Sequence, residues 1–257
     1  MIEANPTNIE TYREKIDFLN QLADKSDYSS DKGKYYNLAI ECYDKMIELN
    51  PNDAETYKGK ADTYYKLADN SYSYSDEKYY NLAIECYDKA IELNPNDAET
   101  YKGKADAYSQ FANKYFSHQY SKSDKEKYYN LAIECYDKAI ELNPNDAETY
   151  KGKADAYSQF ANKYFSHQYS KSDKEKYYNL AIECYDKAIE LNPNDAETYK
   201  GKADAYSQFA NKYFSHQYSK SDKEKYYNLA IKCYDKAIKL KPSAVSFILR
   251  RVVPYMS

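Results

Sequence analysis

The side chains able to do chemistry in this chain come back at fixed intervals. His118, His167 and His216 are its three histidines, each 49 residues from the next. A row of imidazoles suggests zinc, whose ligands must lie about 2.0–2.3 Å from the ion. Packed helices stand about 8–10 Å apart, so residues one interval apart cannot converge on one metal within a molecule. Ser117 precedes His118, but the pair is copied with its surroundings and reads as surface, not as an activated nucleophile. Gly33, Gly59, Gly103, Gly152 and Gly201 are isolated from one another, so no glycine-rich loop can cradle a phosphate. Cys42, Cys86, Cys135, Cys184 and Cys233 also occur once per interval, which is no disulfide framework. They read as small, partly buried thiols in a reducing compartment, which places the protein in the cytoplasm. The expectation is a protein that is not an enzyme and holds no cofactor and no metal.

The elements that carry these residues are repeats. The Thr-Tyr dipeptides at Tyr12, Tyr57, Tyr101, Tyr150 and Tyr199 are spaced by 45, 44, 49 and 49 residues, and Thr100–Glu148 is copied without change as Thr149–Glu197. Periods of this size belong to arrays in which each unit buries its apolar face against its neighbours. Within a unit, Tyr101, Ala105, Tyr108 and Ala112 recur at helical spacing, as do Tyr128, Leu131, Ala132, Cys135, Tyr136 and Ala139. Each unit is thus two amphipathic helices. Asn96 with Glu99 and Ser123 with Glu126 have capping-box spacing at the two helix starts, and Pro144 closes the second helix.

The order Tyr101, Ala105, Tyr108, Ala132, Tyr136, Ala139, Pro144 resembles the tetratricopeptide repeat, with equivalents of the last residues at Ala83, Ala90, Pro95, Ala181, Ala188, Pro193, Ala230, Ala237 and Pro242. The resemblance covers residues 6 to 242. It implies a right-handed α-α superhelix, an all-α solenoid of five helical-hairpin repeats at about 11–55, 56–99, 100–148, 149–197 and 198–242. The departures are a period longer than the family's 34 residues, tyrosine in place of the usual tryptophan, and Lys104 where leucine is common. The 15 extra residues, between Tyr108 and Ala132, read as lengthening both helices, with the turn near Ser121 to Ser123. A newer class of long tetratricopeptide-like repeats, or a Sel1-like array, is the structural alternative.

In that family the first helices line a concave groove that takes peptides, and the residue after the first aromatic points into it. Here those residues are Arg13, Lys58, Lys102, Lys151 and Lys200, and four positions on stand Asp17, Asp62, Asp106, Asp155 and Asp204. Ser109, Ser158 and Ser207, with Gln110 and its copies, border them. The resemblance therefore implies a ladder of alternating charges suited to a polar, mixed-charge peptide or protein segment. The plainer reading is an exposed intrahelical pair worth about 0.2–0.5 kcal/mol. The family's carboxylate clamp looks absent, because aspartate replaces its asparagine. Gly59, Gly103, Gly152 and Gly201 fall inside the first helices, where each costs about 1 kcal/mol against alanine. Close approach of a neighbouring helix, or of a bound backbone, would offset that.

Composition narrows the partners. A net charge of −4 with lysines and acids interspersed gives no basic stripe for nucleic acid. No segment reaches the roughly 20 apolar residues of a membrane helix. The chain has 35 tyrosines and no tryptophan, so tyrosine rings must fill the helix interfaces. Residues 243–257 depart from the repeat and read as a capping helix or tail. The rival to a binding scaffold is a structural protein that self-assembles as a homo-oligomer through its terminal repeat or tail.

Overall fold

The computed structural model describes residues 8–70, 77–114, 122–164, 171–213 and 220–242. The three histidines, the turn residue Ser121 and the 243–257 tail lie outside them, as does the side chain of Ser123. Among the described residues there are ten α-helices and no strand: α1 (Ile9–Lys25), α2 (Ser29–Leu49), α3 (Ala54–Asp69), α4 (Glu77–Leu93), α5 (Ala98–Lys114), α6 (Lys122–Leu142), α7 (Ala147–Tyr164), α8 (Lys171–Leu191), α9 (Ala196–Tyr213) and α10 (Lys220–Leu240). They fall into two compact units, Met1–Asp124 with Asp137–Leu142, and Lys125–Tyr136 with Asn143–Ser257. In the first, α1 packs on α2, α2 on α3, α3 on α4, α4 on α5, and α3 also meets α5; in the second, α7 packs on α8, α8 on α9, α9 on α10, and α7 meets α9.

Helix ends follow from local chemistry. The second helices stop at Leu49, Leu93, Leu142 and Leu191, one residue before an Asn-Pro pair. Proline drives the residue before it out of the helical region, so Asn50, Asn94 and Asn192 donate the last helical hydrogen bond, each 2.8 Å long. The start of the next helix corrects the expected cap. Asp97, not Asn96, caps α5: its Oδ1 accepts the Glu99 amide at 3.2 Å and its Oδ2 accepts the Thr100 hydroxyl. Asp146 and Asp195 repeat the arrangement, and Asn8 serves α1 by accepting the Glu10 amide at 3.0 Å. The sequence spacing pointed one residue too early because Asn96 is still in the Pro-Asn turn. Asn96 instead donates its amide to the Asn94 side chain at 3.4 Å.

Two aromatic contacts recur between repeats. Tyr87, 1% exposed, lies against α5 so closely that a Cβ at Gly103 would stand 2.7 Å from its hydroxyl and 2.8 Å from Cε1. Tyr43 meets Gly59, Tyr136 meets Gly152 and Tyr185 meets Gly201 in the same way. Gly59, Gly103, Gly152 and Gly201 are therefore packing sites, and a tyrosine edge occupies the space a methyl would take. The second contact fills the lengthened part of the hairpins. Phe160 of α7 sits 5.2 Å from Tyr129 of α6 and 4.6 Å, edge-on, from Tyr177 of α8. Phe209 repeats this between Tyr178 at 5.2 Å and Tyr226 at 4.7 Å. Edge-to-face geometry places the positive ring rim over a negative face.

The lysine that stands in place of a family leucine is also explained by its neighbours. Lys60 bonds Asp44 of the preceding helix at 2.6 Å and lies 5.6 Å from the Tyr64 ring. Lys104 pairs with Asp88 and Lys202 with Asp186 in the same manner. The four-carbon stem covers apolar surface as leucine would, while the ammonium reaches the carboxylate across the interface.

Candidate functional site

The face formed by the first helices gathers most of the residues singled out from the sequence. Between α1 and α3 a cleft of about 190 Å³ is lined by Arg13, Asp17, Tyr43, Asp53, Glu55 and Gly59, among others. Between α3 and α5 a second, of about 240 Å³, brings Lys58, Asp62, Lys102 and Asp106 together with Tyr65, Tyr87, Glu99 and Gly103. In the other unit Lys151, Asp155, Lys200 and Asp204 occupy the same helix positions on α7 and α9. A larger hollow of about 430 Å³ lies at the start of α2, beside Leu67, Asn70 and Tyr79. It collects none of the recurring charges, and its Ser29 hydroxyl is already donated to the Asn70 carbonyl at 2.7 Å.

The acidic half of the ladder is not freely presented. Tyr87 donates its hydroxyl to Oδ1 of Asp62 at 2.5 Å, Tyr185 donates to Asp155, and Tyr234 donates to Asp204 at 2.5 Å. Burial raises the proton affinity of Asp62 and Asp155 above the usual carboxylate range, and it outweighs the tyrosine hydroxyl and nearby lysines that pull the other way. Tyr87 and Tyr185 thus each join three helices. Tyr87 leaves α4, bonds Asp62 on α3 and rests its ring on Gly103 of α5. Asp17, by contrast, is exposed.

The basic half turns back towards the helix starts. Lys58 lies 3.5 Å from Glu55, Lys102 3.3 Å from Glu99, Lys151 3.1 Å from Glu148 and Lys200 2.9 Å from Glu197. Two also reach the cap of the next first helix: Arg13 lies 3.8 Å from Asp53, and Lys151 3.8 Å from Asp195. Burial disfavours the charge on Lys151, but Glu148, Asp195 and Asp155 more than offset it and hold the ammonium above its ordinary range. The sequence reading took Glu99 for a capping-box residue and missed the pairing of these first-turn glutamates with the lysines, although they stand three residues before every ladder lysine, a spacing that places two side chains on one helix face.

The serines are a correction. Ser109 is 4% and Ser158 7% exposed, so neither hydroxyl borders a partner-accessible surface. Ser109 follows Ala105 by one turn and precedes Ala112 by another, which puts it on the packed stripe of α5. Ser207 is half-buried. None of the five cysteines is in a disulfide; Cys42 is buried and the others half-buried. Burial pushes the Cys86 thiol up to about 11, so it stays protonated and weakly nucleophilic. Among the described residues no group of three or more His, Cys, Asp or Glu side chains is gathered for a metal, and no helix is long and apolar enough to cross a membrane.

Two family models described as tetratricopeptide repeat match the sequence, one over residues 29–53, 61–97, 123–146, 172–195 and 221–243, the other over 86–125, 135–174 and 184–223. No curated protein matches it. Among solved structures, TTC0263, a thermophilic TPR protein of Thermus thermophilus, aligns with a TM-score of 0.61 and 15% identity over 96% of this chain and 100% of its own. MamA 41-end from Desulfovibrio magneticus RS-1 aligns with a TM-score of 0.54 and 15% identity over 89% and 96%. At such identities the likeness is one of fold: stacked pairs of helices.

Proposed function

Because the chain belongs to the tetratricopeptide repeat family, whose models together match residues 29–53 and 61–243, we propose that it is a non-enzymatic protein-interaction scaffold. Its first-helix clefts receive a polar, mixed-charge segment of a partner protein. The observation that carries this reading is the cleft between α3 and α5, where Lys58, Asp62, Lys102 and Asp106 line one cavity. Arg13 and Asp17 line its counterpart, and Lys151, Asp155, Lys200 and Asp204 are the matching positions of the second unit. We place the protein in the cytoplasm, in keeping with five cysteines that stand outside any disulfide.

The same contacts weigh against end-to-end self-assembly as the main role. Each inter-repeat tyrosine sits over a glycine sixteen residues on, but α1 carries Glu14 at the position held by Gly59, Gly103, Gly152 and Gly201 elsewhere. A second copy bringing Tyr234 against α1 would meet that side chain. The test is affinity purification from native cytosol with mass spectrometry, comparing wild type with a cleft-filled variant carrying Lys58→Trp, Lys102→Trp, Lys151→Trp and Lys200→Trp. A protein enriched by wild type and lost from the variant is the expected result. Recovery of only the bait's own chain from both would overturn the scaffold reading.

A further inference from the structure

We infer that the segment received by the clefts is cationic, a stretch of partner protein in which lysine and arginine outnumber the acids. This rests on the scaffold reading and adds the partner's chemistry. The charges on the first-helix face are layered. The glutamates Glu55, Glu99, Glu148 and Glu197 have side chains 46–75% exposed, whereas the lysines they pair with are only 21–29% exposed. An approaching chain meets carboxylates first, and the ammonium groups lie beneath them, already engaged.

The balance within one repeat points the same way. On this face of the fourth, Lys151 is set against Asp146, Glu148 and Asp155; in the fifth, Lys200 is set against Asp195, Glu197 and Asp204. The second repeat adds a base, Lys66, where the later ones have glutamine, and it balances the charges of the α3–α5 cleft, whereas the α1–α3 cleft sets Arg13 against Asp17, Asp53 and Glu55. The half-buried Asp62 and Asp155 are hydrogen-bonded by tyrosine hydroxyls, but a phenol is a neutral donor and does not cancel the carboxylate's charge. Lys58 and Lys151 offset part of that charge, and a lysine or arginine entering the cleft would add to this where water is partly excluded and the attraction is less screened. An acidic segment would have to break the lysine–glutamate pairs before gaining any contact, and like-charge juxtaposition is what suppresses wrong partners.

The test uses the full chain and three fluorescent peptides of equal length, one alternating Lys and Ser, one Glu and Ser, and one Lys and Glu, read by anisotropy. The Lys–Ser peptide is expected to bind about tenfold more tightly than the Glu–Ser peptide, with the Lys–Glu peptide between them. Its affinity should fall about threefold or more in Glu99→Gln/Glu148→Gln/Glu197→Gln, and distinctly less in Glu85→Gln/Glu134→Gln/Glu183→Gln, which removes the same charge from exposed positions of the second helices. Circular dichroism establishes that both triple variants remain folded. Equal or tighter binding of the Glu–Ser or Lys–Glu peptide, or equal losses in the two variants, overturns the cationic partner and leaves the scaffold reading standing. Failure of all three peptides to bind overturns both.

Discussion

Replacing Gly103 with alanine puts two opposed effects on one atom. A methyl inside an exposed helix is worth about 1 kcal/mol of helix propensity over glycine, so on local grounds the variant should be more stable. The new Cβ, however, would stand 2.7 Å from the Tyr87 hydroxyl and 2.8 Å from Cε1 and Cζ. Ordinary contact begins near 3.4 Å, so the ring must retreat by about 0.6 Å. It has little freedom to do so, being 1% exposed and tied to Asp62 by a 2.5 Å hydrogen bond. Overpacking of this kind costs about 1–3 kcal/mol, which leaves a net loss of about 1 kcal/mol once propensity is subtracted. For a chain of this size that lowers Tm by about 2–4 °C. The assay is thermal and urea unfolding followed by circular dichroism, repeated in a Tyr87→Leu background. There the ring is gone, the clash with it, and Gly103→Ala should stabilise by up to about 1 kcal/mol. A gain of equal size in both backgrounds would refute the packing argument. An unchanged Tm with lost binding would assign the glycine to a bound backbone instead.

Other consequences can be measured on the same protein. Asp62 and Asp155 hold their protons more tightly when folded, so their contribution is fully present below the ordinary carboxylate pKa and is lost as pH rises through their raised folded values. Asp155→Asn should therefore flatten the rise in stability on lowering pH from 7 towards 4 while keeping an acceptor for Tyr185; an unaltered pH profile would count against it. Asp97→Ala should cost about 1 kcal/mol, as loss of an N-cap does, whereas Asn96→Ala should have little effect; the reverse order would restore the cap to Asn96. Cys86, raised by burial to about 11, should react with a disulfide reagent at pH 8 far more slowly than in urea. Equal rates would show that the thiol is not shielded.

The period, the paired helices and their stops at Asn-Pro were legible because they depend on neighbours in sequence. Tyrosine, alanine and proline recur at intervals that helix geometry dictates, so five near-copies repeated one signal five times. The cap was misplaced by a residue because asparagine and aspartate both suit that role, and only the turn geometry separates Asn96 from Asp97. The ladder residues were found, but their partners were not. The hydroxyl that holds Asp62 comes from Tyr87, 25 residues away on another helix, and no local pattern announces that bond. Ser109 looked like a polar border because its type is polar, yet its position on α5 is set by the stripe of small residues around it.

The tyrosine that joins three helices measures two distances along the chain at once. From Tyr87 back to Asp62 is 25 residues, but from Tyr185 to Asp155 and from Tyr234 to Asp204 it is 30. From tyrosine forward to its glycine it is always sixteen. The variable interval runs through the hairpin tip, and the constant one runs through the Asn-Pro connection. Length can therefore be added at the tip without altering how one repeat seats on the next. A protein built this way has one fixed joint, sixteen residues long, and one seam, between aspartate and tyrosine, whose length differs from repeat to repeat. An engineer wishing to graft a new segment into this chain would cut at the seam.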